Sequence, residues 1–169
     1  MRAMYHQIYG QMIRQLGNLD AWLTKAAAYA TEKKIDPSTI LNYRLAADQL
    51  PLVGQVRIAC DTPKLGASRL TGKEAPSHAD TETTFDELHA RIRSVQDYLR
   101  SYSAADFAES DTRTISTPRW EGKTMTGANY FLEHVLPNFF FHVNHTYAIL
   151  RHIGVPLGKK DYLGTLTMS

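Results

Sequence analysis

Hydrophobic positions recur along this chain at the spacing of α-helices. Between residues 5 and 30 they advance by threes and fours, which predicts one long amphipathic helix. The same spacing returns over 52–70 and again over 85–102. At the start of the third stripe, Thr84 and Glu87 have the spacing of a capping box, which marks a helix N-terminus. The pattern therefore predicts three long helices before residue 103.

A fourth predicted helix is apolar almost all round. It contains the stretch LPNFFFHVNHTYAILRHIGV, residues 136–155. The three consecutive phenylalanines, residues 139–141, span about 300° of a helix at about 100° per residue. Such a helix belongs at the centre of a fold. Thr126 is the predicted N-cap, and Gly154 followed by Pro156 predicts the end.

Prolines and short polar segments predict the irregular parts. Pro63 and Pro137 lie inside predicted helices, and each is expected to bend its helix because it lacks an amide donor. The threonine-rich segments 113–117 and 123–126 predict a small β-hairpin. The tail beyond Pro156 has no hydrophobic stripe, so we expect an extended strap or a frayed end.

These elements together predict an all-α protein with one domain over residues 1–169. Four long amphipathic segments joined by loops favour an antiparallel four-helix bundle, with the small β-hairpin between the third and fourth helices. At 169 residues and 43% hydrophobic composition, the chain can bury a core without disulfides or metals.

Charge and composition exclude several classes of function. Lys and Arg total 19 against 17 for Asp and Glu, and no long basic run occurs, so we expect neither nucleic acid nor a membrane surface as a partner. No apolar run approaches the roughly 20 residues of a membrane helix. The single cysteine, Cys60, and an N-terminus without the apolar core of a secretory signal predict a cytoplasmic protein. Phosphate-loop, GxSxG and HExxH motifs are absent.

Polar residues on the apolar fourth helix are the candidate chemistry. Asn138 and His142 are four residues apart and therefore share one helix face. His145 follows three residues later and points roughly 60° away from His142. The histidines elsewhere show no ligand spacing to one another; they are His6, His78, His89 and His134.

Several segments together resemble one known family. LPNFFFHV, YAILRH, GVPLGK and DYLG in the last third, with PLVGQVRIACD, RLTGKE and TFDELHARI earlier, resemble a bacterial domain-of-unknown-function family within the DinB/YfiT-like superfamily. The resemblance covers nearly the whole chain. It implies a DinB-like four-helix bundle, often dimeric, whose relatives include metal-dependent thiol transferases and hydrolases.

The resemblance also implies where a metal would bind. In those relatives three histidines hold a single metal ion, one from the second helix and an HxxxH pair from the fourth. His142 matches the second member of the pair and Asn138 the first, while Gln55 lies near the position of the remaining histidine. Carboxamide oxygens are weak ligands for Zn or Ni, so only His142 is expected as a metal ligand. His145 is an additional imidazole that can partly restore the ligand set.

Two interpretations of these polar residues remain open. Gln55, Asn138, His142 and His145 can line a pocket for a divalent transition metal or a small molecule. Alternatively, they form a satisfied hydrogen-bond network that fixes the register of the helices.

Other polar residues leave similar alternatives. Cys60 is either a nucleophile or a small buried hydrophobe, as a lone helical cysteine usually is. Charged residues on and around the second helix predict a solvated face, with an ionic or anion-binding patch as the alternative; they are Arg44, Asp61, Lys64 and Arg69.

The sequence therefore favours a cytoplasmic, homodimeric DinB-like bundle with a degenerate metal or small-ligand pocket centred on His142 and no assigned reaction. One alternative is a metal-dependent transferase or hydrolase acting on a small thiol or thiol conjugate. Another is a non-catalytic, dimeric interaction module. Whether the protein is an enzyme stays open.

Overall fold

Four long helices form most of the fold in this computed structural model, which describes residues 2–168. They are α1 (Arg2–Lys33), α3 (Leu52–Thr71), α4 (Phe85–Arg100) and α6 (Leu136–His152), and three short helices accompany them: α2 (Pro37–Leu41), α5 (Gly127–Asn129) and α7 (Lys159–Leu163). The four long helices predicted from the hydrophobic pattern are confirmed. Within the described range, no helix combines the length and apolarity needed to cross a membrane.

Local capping residues set the helix ends, and the predicted capping box at Thr84 is confirmed. The amide of Glu87 donates to the Thr84 hydroxyl, and Glu87 Oε2 accepts from the Thr84 amide, which completes the capping box of α4. α3 ends at Gly72, whose φ of 80° is the left-handed conformation that glycine adopts without a steric cost. Asp36 caps α2 by accepting from the amide of Ser38.

The long helices form a bundle with two antiparallel pairs. α1 and α4 run antiparallel, because Gln96 donates to the carbonyl of Ile13 while His89 pairs with Asp20 further along α1. α3 and α6 run antiparallel as well, because Gln55 contacts His142 while Arg69, further along α3, contacts Tyr130 in the turn before α6.

The helices α3 and α4 are neighbours that run parallel. Asp61 pairs with Arg91, and Lys64 reaches Ser94 through His78, so both helices advance in the same direction. The linker over 72–84 therefore returns along the bundle before α4 begins. The predicted four-helix bundle is confirmed, with one long crossover connection between its second and third long helices.

The predicted β-hairpin is confirmed in a shorter form. Thr114–Ile115 (β1) pairs antiparallel with Met125–Thr126 (β2), and each strand has two residues. A 3₁₀ turn at Pro118–Trp120 lies between them. The hairpin leads directly into α5, because the Thr126 hydroxyl accepts from the amide of Asn129 as the predicted N-cap.

The two internal prolines behave differently. Before Pro137 the chain forms a wide π-helical turn over Tyr130–Val135, in which the amide of Leu136 donates to the carbonyl of Phe131 five residues back. This turn accommodates a proline that has no amide and crowds the carbonyl before it. The sequence pattern did not predict it. At Pro63, by contrast, α3 continues without interruption.

The tail differs from the prediction of an extended strap or a frayed end. Residues 159–163 form α7, which packs on α1. The indole of Trp22 donates to the carbonyl of Asp161 at 3.0 Å, and Tyr162 stacks on the Trp22 ring with centroids 5.6 Å apart. These tertiary contacts stabilise a helix too short to show a stripe.

Candidate ligand-binding site

A cavity of about 450 Å³ lies between α3, α6 with its preceding π turn, and the 118–120 turn. The α6 side presents four residues at four-residue spacing, which places them along one face: Tyr130, His134, Asn138 and His142. The α3 side presents Ile58, Asp61, Thr62, Leu65 and Arg69. The hairpin adds Thr117, Pro118, Arg119 and Trp120. We call this space the interhelical cavity.

The interhelical cavity is elongated along the antiparallel helices α3 and α6. At one end Gln55 contacts His142, and at the other Arg69 contacts Tyr130. Twelve residues separate Tyr130 from His142, which is roughly 18 Å at about 1.5 Å per residue.

His142 is fixed in one orientation by Gln55. The Gln55 side-chain amide donates to the carbonyl of Leu50 at 3.0 Å, so its oxygen faces the imidazole. His142 Nδ1 then carries the proton and donates to Gln55 Oε1 at 2.8 Å. Gln55 is 1% exposed and His142 7%. Nε2 of His142 is therefore unprotonated, and it has no hydrogen-bond partner within residues 2–168.

His142 is uncharged at neutral pH. Burial, with a smaller contribution from the nearby His145, lowers its pKa from 6.5 to about 4. The neutral ring, which lines the cavity, therefore carries a lone pair on Nε2 that can accept a hydrogen bond from a bound molecule.

Asn138 lies one turn along the same face. Its amide donates to the Thr62 hydroxyl at 2.8 Å, and Thr62 donates in turn to the carbonyl of Ile58 at 2.7 Å. This chain of hydrogen bonds orients Asn138, whose side-chain oxygen remains as a second acceptor.

The structure brings together three of the four residues predicted for the site. Gln55 and His142 are hydrogen-bonded, and Asn138 lines the same cavity. His145 does not line it: its Nδ1 donates to the carbonyl of Phe141 at 2.7 Å, and its ring lies against the Phe141 ring with centroids 4.0 Å apart. The angular offset from His142 explains this placement.

At the other end of the cavity, sequence reasoning missed Tyr130, His134 and Trp120, and it named Arg69 only within the alternative of an anion-binding patch on the second helix. Arg69 donates to the Tyr130 hydroxyl at 2.8 Å, and Trp120 packs edge-on against both Tyr130 and His134. The four-residue spacing that runs from His142 back through Asn138 also reaches His134 and Tyr130. That spacing is the signal that could have found them.

Asp61 lines the cavity and also belongs to an ionic network that joins α3 to α4. Its carboxylate lies 2.7 Å from Lys64 Nζ and 2.8 Å from NH2 of Arg91. Lys64 is 4% exposed, so the predicted solvated face is wrong at this point, because the 72–84 linker covers it. Arg91 NH1 also donates to Asp80 and Glu82 at 2.6 and 2.7 Å. The negative charge of Asp61 is thus compensated from outside the cavity.

The residues present do not fit a three-ligand transition-metal site. Over residues 2–168, no three His, Cys, Asp or Glu side chains are grouped so that they could hold a metal ion. The Gln55 oxygen already accepts from His142, and the Asn138 oxygen is a weak ligand for Zn or Ni.

Cys60 also does not extend the site. It is fully buried, and burial raises the pKa of its thiol to about 12. A protonated, inaccessible thiol is a poor nucleophile, so the structure agrees with the buried-hydrophobe interpretation.

The lowered pKa of His142 predicts a pH dependence of stability. The unfolded chain binds a proton at His142 near pH 6.5 and the folded chain near 4, so stability is full above 6.5 and falls as the pH drops towards 4. This loss amounts to at most about 3 kcal/mol. Urea denaturation of wild type and His142→Gln between these pH values measures it. We expect the stability advantage of wild type to shrink as the pH falls, and parallel curves would contradict the assignment.

Comparisons with known proteins identify relatives over the full fold. Residues 4–163 match the family model described as a domain of unknown function, DUF1993. The chain is similar to the crystal structure of a DinB family member protein from Shewanella denitrificans, with 48% sequence identity and a TM-score of 0.94. That match covers 100% of this chain and 98% of the other. A search among curated proteins found no match.

Proposed function

We propose that this chain, which belongs to the DUF1993 family of the DinB-like superfamily, binds a small organic molecule in the interhelical cavity. In this proposal His142 is the central recognition group and accepts a hydrogen bond from the ligand. The bound molecule carries an N–H, O–H or S–H donor at that end.

The orientation of His142 is the observation that supports this proposal most. Gln55 holds Nδ1 as a donor, which leaves Nε2 as an acceptor on a ring that lines the cavity. Gln55 is itself held by a backbone carbonyl, so the ring is positioned before any ligand arrives. Such pre-organisation reduces the entropic cost of binding.

Recognition suits His142 better than proton transfer or metal binding. An imidazole with a pKa of about 4 is a weak proton acceptor at neutral pH, whereas an efficient general base has a pKa near the operating pH. Within the described residues, the donor set around it lacks the further strong ligands of a transition-metal site. A metal-dependent transferase or hydrolase acting on a small thiol or thiol conjugate is therefore the competing hypothesis.

A fragment screen on the purified chain tests the proposal. Small aromatic alcohols and amides are screened by ligand-detected NMR against wild type and His142→Leu. We expect hits on wild type whose affinity falls about tenfold or more in the variant, because a buried acceptor is lost. His6→Leu is the matched control, since His6 is an exposed histidine on α1.

Three outcomes would count against the proposal. The first is the absence of hits, and the second is a set of hits that bind His142→Leu as tightly as wild type. The third comes from elemental analysis of chelator-free protein: a near-stoichiometric metal that disappears in His142→Leu would favour the competing metal-dependent activity.

The homodimer and its cytoplasmic location remain predictions. Phe141 and Leu132 are about half exposed, at 51% and 53%, on α6 and the π turn before it. Exposed apolar side chains of this size are compatible with a partner surface. A non-catalytic, dimeric interaction module would use such exposed apolar side chains and would not need the cavity.

A further inference from the structure

The ligand class follows from the charges at the far end of the cavity. We infer that the bound molecule carries a carboxylate or phosphate group, which Arg69 and Arg119 hold at the end opposite His142. This inference rests on the proposed function of the interhelical cavity and adds the chemistry of the ligand to it.

Arg69 is a cation without a counter-charge in the described part of the chain. Its NH1 donates to the hydroxyl of Tyr130, and its guanidinium carbon lies 5.9 Å from the centre of that ring. Within residues 2–168 it makes no ion pair. A hydrogen bond to a neutral hydroxyl positions the guanidinium but leaves its charge uncompensated, and its other N–H groups remain as donors.

Arg119 adds a second positive charge at the same end. It lies on the 118–120 turn beside Trp120, lines the cavity, and pairs with no carboxylate among residues 2–168. Two guanidinium groups that line one cavity are typical of carboxylate or phosphate recognition.

Asp61 lines the cavity as well, but it does not neutralise these arginines. It precedes Arg69 by eight residues, roughly 12 Å along the helix. Its charge is compensated by Lys64 of α3 and Arg91 of α4. The cavity therefore has a positive end at Arg69 and an uncharged acceptor end at His142.

Aromatic side chains define the shape of the positive end. Trp120 packs edge-on against Tyr130 and His134, and all three line the cavity. A flat apolar group attached to the anion would contact these rings, whereas an inorganic ion alone would make no such aromatic contact.

NMR titration of the ¹⁵N-labelled full chain tests this inference. The chain has two tryptophans: Trp22, whose indole is buried and bonded to Asp161, and Trp120 on the cavity. Trp120→Phe assigns the two indole signals. The probes are 3-phenylpropionate, its neutral isostere 3-phenylpropionamide, and phenyl phosphate. Arg69→Met and Arg119→Met remove the proposed anion contacts, and Arg93→Met on the exposed side of α4 is the matched control.

We expect 3-phenylpropionate or phenyl phosphate to shift the Trp120 signal saturably, with the amide binding about tenfold more weakly or worse. Each cavity arginine variant should lose about tenfold in affinity for the anion and little for the amide. Arg93→Met should match wild type. Because Arg119 is exposed, its variant tests the inference even if Arg69→Met does not fold.

The outcomes separate this inference from the proposed function. Equal affinity for acid and amide, or an anion affinity unaffected by both arginine variants, would overturn the anion site while leaving the His142 pocket intact. No shift with any of the three probes would also overturn it. The fragment screen on His142→Leu decides the proposed function separately.

Discussion

Replacing Arg91 with methionine is expected to lower the free energy of unfolding by about 3–5 kcal/mol. The Arg91 side chain is 1% exposed and contacts three carboxylates, those of Asp61, Asp80 and Glu82. Methionine keeps an unbranched apolar stem but removes the charge. Asp61 would keep Lys64 and Glu82 would keep Arg57, but each partly buried carboxylate would lose one of its two counter-ions, which is the costly way to break a buried ion pair.

The directions of the pKa shifts of Arg91 and Glu82 agree with a stabilising role for Arg91. Burial alone lowers the pKa of Arg91, but the hydrogen bond with Glu82 and the charge of Asp61 outweigh it, and the pKa rises. Burial raises the pKa of Glu82, but the hydrogen bond and charge of Arg91, together with a backbone hydrogen bond and Arg57, outweigh it, and the pKa falls. The folded state therefore favours both charged forms.

Urea denaturation at neutral pH measures the effect of Arg91→Met. Arg93→Met is the control, because Arg93 is exposed on the same helix and should change stability by less than about 0.5 kcal/mol. Arg91→Lys should fall between wild type and Arg91→Met, since it retains the charge without the planar fork. Equal midpoints for Arg91→Met and Arg93→Met would show that the network contributes little.

The ionic network also explains why part of the site could not be predicted from sequence. Asp61 and Lys64 have the pattern of a solvated helix face, because nothing local distinguishes a covered charge from an exposed one. Burial at Lys64 comes from the 72–84 linker, whose path depends on α3 and α4 running parallel. That arrangement is set by packing over the whole bundle.

Local signals were sufficient where the determining residues lie within one turn. The capping box at Thr84 and the N-cap at Thr126 both appear in the structure as predicted. Each depends on hydrogen bonds or backbone angles of neighbouring residues. The shared face of Asn138 and His142 followed from helix geometry in the same way.

The rest of the cavity depends on register between distant elements. Gln55 was placed through family resemblance, and Arg69 and Trp120 were not assigned to the site. Trp120 reaches the cavity because the hairpin places its turn against the π turn that precedes α6, where it meets Tyr130 and His134. The spacing of hydrophobic residues within one helix does not predict such a contact between distant segments.

Gly127→Ala is expected to destabilise the protein by about 3 kcal/mol, at the upper end of overpacking effects. A Cβ added at Gly127 would lie 1.8 Å from the carbonyl oxygen of Ser110 and 3.0 Å from Leu70 Cδ2. The first contact is with backbone that cannot rotate away. Ser110 is fully buried and donates to the carbonyl of Leu70, and Ala128 donates to the carbonyl of Asp111, so both sides of the contact are fixed.

Thermal unfolding of Gly127→Ala should show a Tm lowered by roughly 6–12 °C for a chain of this size. Gly10→Ala is the matched control, because Gly10 lies inside α1 and an added Cβ there would meet nothing within 4 Å. Alanine at this position should stabilise the protein by about 0.5–1 kcal/mol through its higher helix propensity. An unchanged Tm for Gly127→Ala would contradict the close approach. Gly127 begins the segment that leads to Tyr130, His134 and His142. Any shift that relieves the contact therefore also moves one wall of the cavity. Weaker binding of the anionic probes should accompany the lower Tm.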